Sequence, residues 1–214
     1  MNQSIEKALE AELSKTGEVI KNVPFETKLV YGNWLSQTYR FVCHSTRLLA
    51  LASSRFELSQ NQLHYRFVDH IREEQAHEVV ALRDLAAIGL GLEDFKESDE
   101  TKAFYQSQYY WIEHVSPISF FGYILCLEGI AVKSGRAVFD RIAPVFGKDA
   151  GNFLKLHSQE DQGHLKLALS QLEALSARDK GIVIENLEMS STLYRNLILR
   201  LSAQVDRSKG TAAA

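Results

Sequence analysis

The chain has 214 residues, of which 45% are hydrophobic and 24% are charged, and its formal net charge is -3. This length and composition predict one soluble globular domain over residues 1–214 with a sizeable core. The weak negative charge and the lack of a basic stripe argue against nucleic acid as a partner. The sequence contains no run of about 18 consecutive apolar residues, so no membrane span is predicted.

The apolar residues recur at intervals of three and four rather than two, which predicts an all-α protein. We predict about seven helices, in chain order at about residues 3–20, 25–53, 60–88, 100–114, 117–140, 149–176 and 179–206. Gly89 follows the third helix in the position of a C-terminal glycine, and Ser116 with Pro117 forms the start of the fifth. The small, polar tail at about residues 207–214 is expected to be disordered.

Two triplets of histidine and acidic residues share one spacing, on the third and the sixth predicted helices. They are H-x3-E-x2-H at His70, Glu74 and His77, and H-x3-D-x2-H at His157, Asp161 and His164. Offsets of four and seven return to nearly the same angle on a helix, so each triplet is expected to project from one stripe. Apolar residues flank both triplets on that stripe, which indicates an inward face. Two such stripes could hold transition-metal ions inside a helix bundle.

Glu128 is the one charged residue in the segment GYILCLEGIAV. A buried carboxylate must take up a proton or find a cation, so this position predicts either a metal ligand or a partner of a buried arginine. Imidazole and carboxylate donors without thiolate suit iron or manganese, with zinc also possible. Iron is predicted because both residue types on facing helices are typical of di-iron carboxylate proteins.

Three segments together resemble a known helical family. In chain order they are EEQAHEVVALRDLAAIG, GYILCLEGIAV and LHSQEDQGHLKLAL. Over about residues 25–175 the chain is similar to the heme-oxygenase-like (TenA/PqqC-like) superfamily, and within it to the di-iron oxidases and oxygenases. This resemblance implies metal ligands at His77, Glu128, His157, Asp161 and His164. Glu74 matches the first carboxylate of some members, whereas His70 stands where many members have glutamate. His70 would then be either an extra ligand or a hydrogen-bond donor to a ligand.

The resemblance implies a heme-oxygenase-like bundle of about seven helices that binds two Fe(II) ions and uses dioxygen as co-substrate. The expected substrate is a small organic molecule, namely an amino acid, an amine or a carboxylic acid, with a possible external electron donor. A homodimer is expected from the resemblance alone. Residues near Glu128 are candidates for the substrate pocket, namely Phe121, Tyr123, Ile124, Leu125 and Val132. The isolated thiols of Cys43 and Cys126 and an N-terminus without a signal-peptide run predict a cytoplasmic protein.

Other functions remain open at this stage. A TenA-like enzyme without metal would use Cys126 as nucleophile, and a PqqC-like oxidase would use histidines to bind substrate. A heme protein would use one axial histidine, for which His44 is the candidate. The chain could also be a non-enzymatic helical protein that binds a metal or a partner.

Overall fold

The structure, a computed structural model, describes residues 4–211, of which residue 160 and residues 203–211 are described by their backbone alone. These residues form ten α-helices and no strand, which confirms the all-α prediction. The helices are α1 (Ile5–Lys21), α2 (Lys28–Val42), α3 (Ser45–Arg55), α4 (Asn61–Glu73), α5 (His77–Ala87), α6 (Asp99–Tyr110), α7 (Phe120–Ile130), α8 (Arg136–Phe146), α9 (Asn152–Leu172) and α10 (Ala177–Thr211). Of the tail expected to be disordered, the backbone to Thr211 continues α10, and residues 212–214 lie outside the described residues.

The ten helices correspond to the seven predicted ones, three of which are interrupted. The second is divided at Cys43 and His44 into α2 and α3, and the third is divided after Glu73 into α4 and α5. The fifth is divided by a π-helical turn, Ala131–Gly135, into α7 and α8. No glycine or proline marks the first two interruptions, so the apolar spacing continues through them and predicts unbroken helices.

The predicted end of the third helix at Gly89 is confirmed. The Gly89 N–H donates to the Ala86 carbonyl at 2.8 Å and the Leu90 N–H donates to the Leu85 carbonyl at 3.2 Å. These two bonds form a Schellman motif, which needs a left-handed residue at this position. Gly89 has φ +67°, which glycine adopts without the strain that a Cβ would add.

Helix α7 lies at the centre of the fold and packs against α1, α9 and α10. All its residues except Leu127 are buried. At Gly122 a Cβ would lie 2.5 Å from the Leu187 nitrogen and 2.6 Å from the Val183 carbonyl oxygen, so only glycine permits this close approach of α7 and α10. The packing places the single carboxylate of α7 in the interior.

The start of α9 is fixed by side chains from other helices. The buried Asp84 carboxylate of α5 accepts hydrogen bonds from the Phe153 N–H at 2.7 Å and from the Asn152 amide at 3.3 Å. The Tyr31 hydroxyl of α2 donates to the Ala150 carbonyl at 2.7 Å. Asp84 therefore caps α9 from a neighbouring helix, which sets the rotation of the α9 face that carries the second triplet.

One helical stretch, Pro117–Phe146, spans 30 residues, and its most apolar window of 18 residues has a mean hydropathy of 1.3, so it could cross a membrane by length and composition. Within the fold, 78% of its most apolar window is buried. Its apolar residues therefore belong to the core of the fold that the structure describes.

Candidate metal centre

The second triplet lies on one continuous helix, α9, as its spacing predicts. His157 Nδ1 is 3.2 Å from Asp161 Oδ1, and His164 Nδ1 is 3.8 Å from the same oxygen. Asp161 is buried, and the two imidazole side chains are almost fully enclosed. The three groups thus converge on one interior point beside α7.

The first triplet does not project from one helical stripe, and that part of the prediction is wrong. Helix α4 ends before Glu74, whose N–H still donates to the His70 carbonyl at 2.9 Å. Ala76 then takes a left-handed conformation with φ +68°, and His77 begins α5. Such strain costs about 1–3 kcal/mol in a non-glycine residue and is found most often at functional sites.

The helix break nevertheless brings the first triplet together. Glu74 Oε1 lies 3.5 Å from His70 Nε2, and Glu74 Oε2 lies 3.2 Å from His77 Nδ1. The Glu74 side chain is only 11% exposed. A single buried carboxylate therefore stands between the histidines of two different helices.

Glu128 of α7 is buried, as its apolar surroundings predict. Its Oε1 is 3.2 Å from His70 Nε2 and 3.8 Å from His164 Nδ1. Among the described residues its ion-pair partners are these two histidines, and none is an arginine. Glu128 therefore joins the two triplets into one cluster.

All seven sequence-predicted ligand candidates take part in this cluster. They form three overlapping groups whose donor atoms lie within 4.8 Å of one another, namely His70–Glu128–His164, Glu74–His77–His157 and Glu74–Asp161–His164. Glu74 and His164 each belong to two groups. The arrangement offers neighbouring positions for more than one cation.

Several donor atoms of the cluster lack a hydrogen-bond partner among the described residues. These atoms are both carboxylate oxygens of Glu128 and the Nδ1 atom of His164, all of which are buried. The 3.2 Å contact between His70 and Glu128 lacks the alignment of a hydrogen bond. An unsatisfied buried polar group costs about 1–3 kcal/mol, more if charged, and a cation coordinated here would remove that cost. The donor set of imidazoles and carboxylates fits iron.

Glu73 and Arg66 support His164 from outside the cluster. The Glu73 Oε2 atom is 3.3 Å from His164 Nε2 and accepts a hydrogen bond from the buried Arg66 guanidinium at 2.8 Å. A carboxylate on one ring nitrogen leaves the other free to coordinate and fixes the ring orientation. This pair was not predicted from the sequence, although the spacing of seven residues between Arg66 and Glu73 on α4 is a signal for one shared helix face.

The electrostatics of the cluster are those of a buried set of acids and imidazoles. Burial opposes the charged form of His70, but Glu128 and Glu74 outweigh it and raise its pKa to about 9. Burial raises the pKa of Glu128 to about 7 although His70 counters it. Burial also disfavours the ionised Glu74, yet His70 and His77 hold its pKa well below the ordinary value. At neutral pH the metal-free cluster therefore retains protons on His70 and partly on Glu128.

We expect metal binding at pH 7 to release about one proton or more, because a ligand must lose its proton before it coordinates. The pKa of His70 is about 9 in the metal-free protein, so affinity should rise with pH between 7 and 9, by about tenfold per pH unit for each proton released. Calorimetric titration with Zn(II) in buffers of different ionisation enthalpy measures the proton count. The His70→Gln variant should lose most of the proton release, and an affinity independent of pH over this range would contradict the assignment.

A cavity of about 110 Å³ adjoins the cluster. Five of the candidate ligands line it, namely His70, Glu74, Glu128, His157 and Asp161. Most of the remaining wall is apolar and includes Phe25, Trp34, Phe41, Leu49, Phe120 and Phe153. The cavity is thus a space in which a small molecule would lie against the cluster.

Of the predicted pocket residues, Tyr123 and Ile124 line this cavity. Phe121, Leu125 and Val132 are not among the described residues that do so. Offsets of four and eleven place these three on another face of the α7 stretch, and Phe121 packs on the Phe67 ring at 4.9 Å instead. Two of the five predicted pocket residues therefore lie on the face that lines the cavity, and the other three do not.

The residues of two alternative functions lie in other surroundings. Cys126 is buried, accepts a hydrogen bond from the Ser191 hydroxyl at 3.4 Å, and has its pKa raised to about 12 by burial. His44 bonds to the Tyr109 hydroxyl at 2.8 Å and stacks on Tyr105 at 3.9 Å. Neither is among the described residues that line the cavity. These environments are typical of a packed thiol and a structural histidine.

Comparison with known proteins gives both a family and a fold. The profile of a family described as iron-containing redox enzyme matches residues 32–194. A search among curated proteins finds no significant match. A solved domain of unknown function with a heme oxygenase-like fold, from Shewanella denitrificans, is 20% identical with a TM-score of 0.85, covering 98% of this chain and 96% of that one.

Two further solved structures are described as TenA homologues. The one from Pseudomonas syringae is 14% identical with a TM-score of 0.74, covering 90% of each chain. The one from Pyrococcus furiosus is 15% identical with a TM-score of 0.72, covering 92% of this chain and 98% of that one. At these identities the likeness shows the fold, and it confirms the predicted heme-oxygenase-like bundle.

Proposed function

We propose, from the premise that this chain belongs to the iron-containing redox enzyme family, that it is a non-heme di-iron oxidase or oxygenase that uses dioxygen on a small organic substrate. The observation that carries the proposal is the buried Glu128 carboxylate, which lacks a hydrogen-bond partner among the described residues and lies within a cluster of imidazoles and acids. Such a cluster inside a helix bundle, beside a largely apolar cavity, is typical of oxygen-activating carboxylate centres.

Two neighbouring ions would share the seven donors. His70, Glu128 and His164 would hold one ion, and Glu74, His77 and His157 would hold the other. Asp161 lies between, in a group with Glu74 and His164. His70, whose role the sequence leaves open, is thereby assigned as a ligand rather than as an outer donor.

The chemistry that a pair of ferrous ions supplies is the reductive activation of dioxygen. The chain contributes orientation and exclusion of water. Glu73 holds the His164 ring through Nε2, and His70 gives up its proton when it becomes a ligand. The apolar cavity wall keeps water away from the substrate that lies against these ligands. We also propose a cytoplasmic homodimer that can receive electrons from an external donor.

The test is an anaerobic titration of the metal-free protein with Fe(II), followed by exposure to oxygen. We expect about two ions per chain at saturation, as in the di-iron bundles that share this donor set, and oxygen uptake that depends on the iron loaded. Protein loaded with Zn(II) is the control, because zinc has no redox chemistry and should support no uptake.

The Cys126→Ser variant separates this proposal from a TenA-like enzyme without metal. Oxygen uptake and iron stoichiometry should be unchanged in the variant, because Cys126 lies outside the lining of the cavity. The di-iron proposal would be contradicted if the wild type bound no iron and had a TenA-like activity that survives chelation and is lost in the Cys126→Ser variant.

A further inference from the structure

The cavity beside the metal cluster has two main walls, each formed by residues that recur at helical intervals. One wall is a stripe of α2 and α3 that carries Trp34, Thr38 and Phe41, and continues to Leu49. The other is the stripe of α7 that carries Tyr123 and leads to Glu128. Both walls are mainly apolar, so the cavity favours a substrate with an apolar body.

The charged groups in the described lining of the cavity all belong to the metal cluster. Among the described residues that line it, none is lysine or arginine. Its acids are Glu74, Glu128 and Asp161, all of which belong to the metal cluster. A substrate carboxylate would find no cationic side chain apart from the cluster, and a substrate ammonium would compete with the metal ions for the same acids. An ionised group held elsewhere in this cavity would be buried without a partner, at high cost.

Two residues of the cavity lining, one from each wall, carry unsatisfied hydroxyl groups. Tyr123 and Thr38 are each 1% exposed, and neither Tyr123 OH nor Thr38 Oγ1 has a hydrogen-bond partner among the described residues. The Tyr123 ring is held between Phe104 at 4.8 Å and Phe120 at 5.3 Å, which limits its movement. Leaving such groups unpaired costs about 1–3 kcal/mol each, and a bound molecule with a polar group would recover that cost.

We propose that the substrate is uncharged: an apolar chain or ring with one neutral hydrogen-bonding group, such as a hydroxyl, carbonyl or amide, recognised by Tyr123 and Thr38. This inference rests on the proposed function for the position of the reacting centre. It departs from the amino acids, amines and carboxylic acids that the family resemblance implies. Tyr123 and Thr38 act as specificity-determining residues, and they touch the substrate rather than the metal.

The test measures binding of matched probes, namely straight-chain primary alcohols from butanol to decanol, with the amine and the carboxylate of the same length. Quenching of tryptophan fluorescence reports binding, because Trp34 lines the cavity. In Zn(II)-loaded protein the best alcohol should bind at least about tenfold more tightly than its amine or carboxylate, given the cost of an unpaired buried charge. Tighter binding of either charged probe, or no saturable binding of any alcohol, would overturn the proposal.

Variants of the two hydroxyls provide the second readout. Tyr123→Phe and Thr38→Val should each weaken alcohol binding by about 3- to 10-fold, the loss of one neutral hydrogen bond. Each should also raise the Tm of the ligand-free protein, because an unsatisfied buried group is removed. Ser36→Ala is the matched control, since Ser36 has a buried, unpartnered hydroxyl but is not among the described residues of the cavity lining. It should leave alcohol affinity unchanged.

A hydroxyl with a purely structural role would give the opposite pattern, with a lower Tm and unchanged affinity, and that result would overturn the assignment. The same measurements on metal-free protein separate this inference from the proposed function. Failure to bind iron would leave the dependence of alcohol affinity on Tyr123 and Thr38 measurable, and a charged-probe preference would leave iron stoichiometry intact.

Discussion

Replacing Asp161 with alanine should remove iron binding and oxygen uptake together. Asp161 is 3% exposed, contacts His157 at 3.2 Å, and shares a donor group with Glu74 and His164. Its loss takes away a carboxylate that both triplets approach. We expect affinity to fall by more than the 10–100-fold typical of an outer hydrogen-bond partner. Iron analysis after equilibrium dialysis and an oxygen electrode measure the two losses.

Asp69→Asn is the matched control for this experiment, because Asp69 neighbours His70 in sequence but is 58% exposed and pairs with Arg72 on the surface. Its iron content should equal that of the wild type. Glu73→Gln should give an intermediate result, with affinity reduced about 10–100-fold but full loading at excess iron, because it only orients His164. Unchanged iron content in the Asp161→Ala variant would contradict the assignment of Asp161 as a metal ligand.

The sequence was sufficient to place α9 and its triplet, because a continuous helix converts the spacing of four and seven directly into a common face. It also predicted the burial of Glu128, because the apolar residues around this lone acid are expected to place the whole helical segment in the core. Both features depend on local periodicity within one helix, which is the strongest signal that a single sequence carries.

The break between α4 and α5 could not be predicted in the same way. The residues Glu74 to Ala76 include no glycine or proline, and Ala76 adopts φ +68° against its intrinsic preference. The surrounding packing holds this conformation, so local propensity is overridden by contacts that are distant in sequence. The residues of the first triplet therefore lie together in the cluster as predicted, but they do so across a helix break and not along one helix.

The cavity was predicted least well, for a related reason. Its walls combine α2, α3, α7 and α9, and only the packing of these helices shows which residues of α7 share the cavity with Thr38 and Trp34. The hydrogen bond that the Phe153 N–H at the start of α9 donates to Asp84 illustrates the problem, because it joins residues that are 69 positions apart. No alternation of apolar and polar residues within one helix indicates such a partner.

Replacing Glu128 with glutamine should have opposite effects on the two forms of the protein. In the metal-free form the variant should be more stable than the wild type, because burial raises the pKa of Glu128 from 4.5 to about 7. A folded-state pKa above the unfolded value means that the ionised carboxylate destabilises the fold. This cost begins above pH 4.5, grows until about pH 7, and is then constant at about 3 kcal/mol. The gain in Tm should therefore be small at pH 5 and reach several degrees at pH 7.5.

With metal present the order should reverse. Binding to the native state stabilises the wild type in proportion to the logarithm of metal concentration over Kd, and the amide of the variant is a weaker ligand than the carboxylate. Melting curves with and without Zn(II), at pH 5 and pH 7.5, measure all four cases, and Glu113→Gln, at an exposed position, is the control. A metal-free Glu128→Gln protein that melts below the wild type at pH 7.5 would mean that the carboxylate stabilises the fold itself. A carboxylate that destabilises the empty fold and stabilises only the loaded one is instead explained by its role as a ligand.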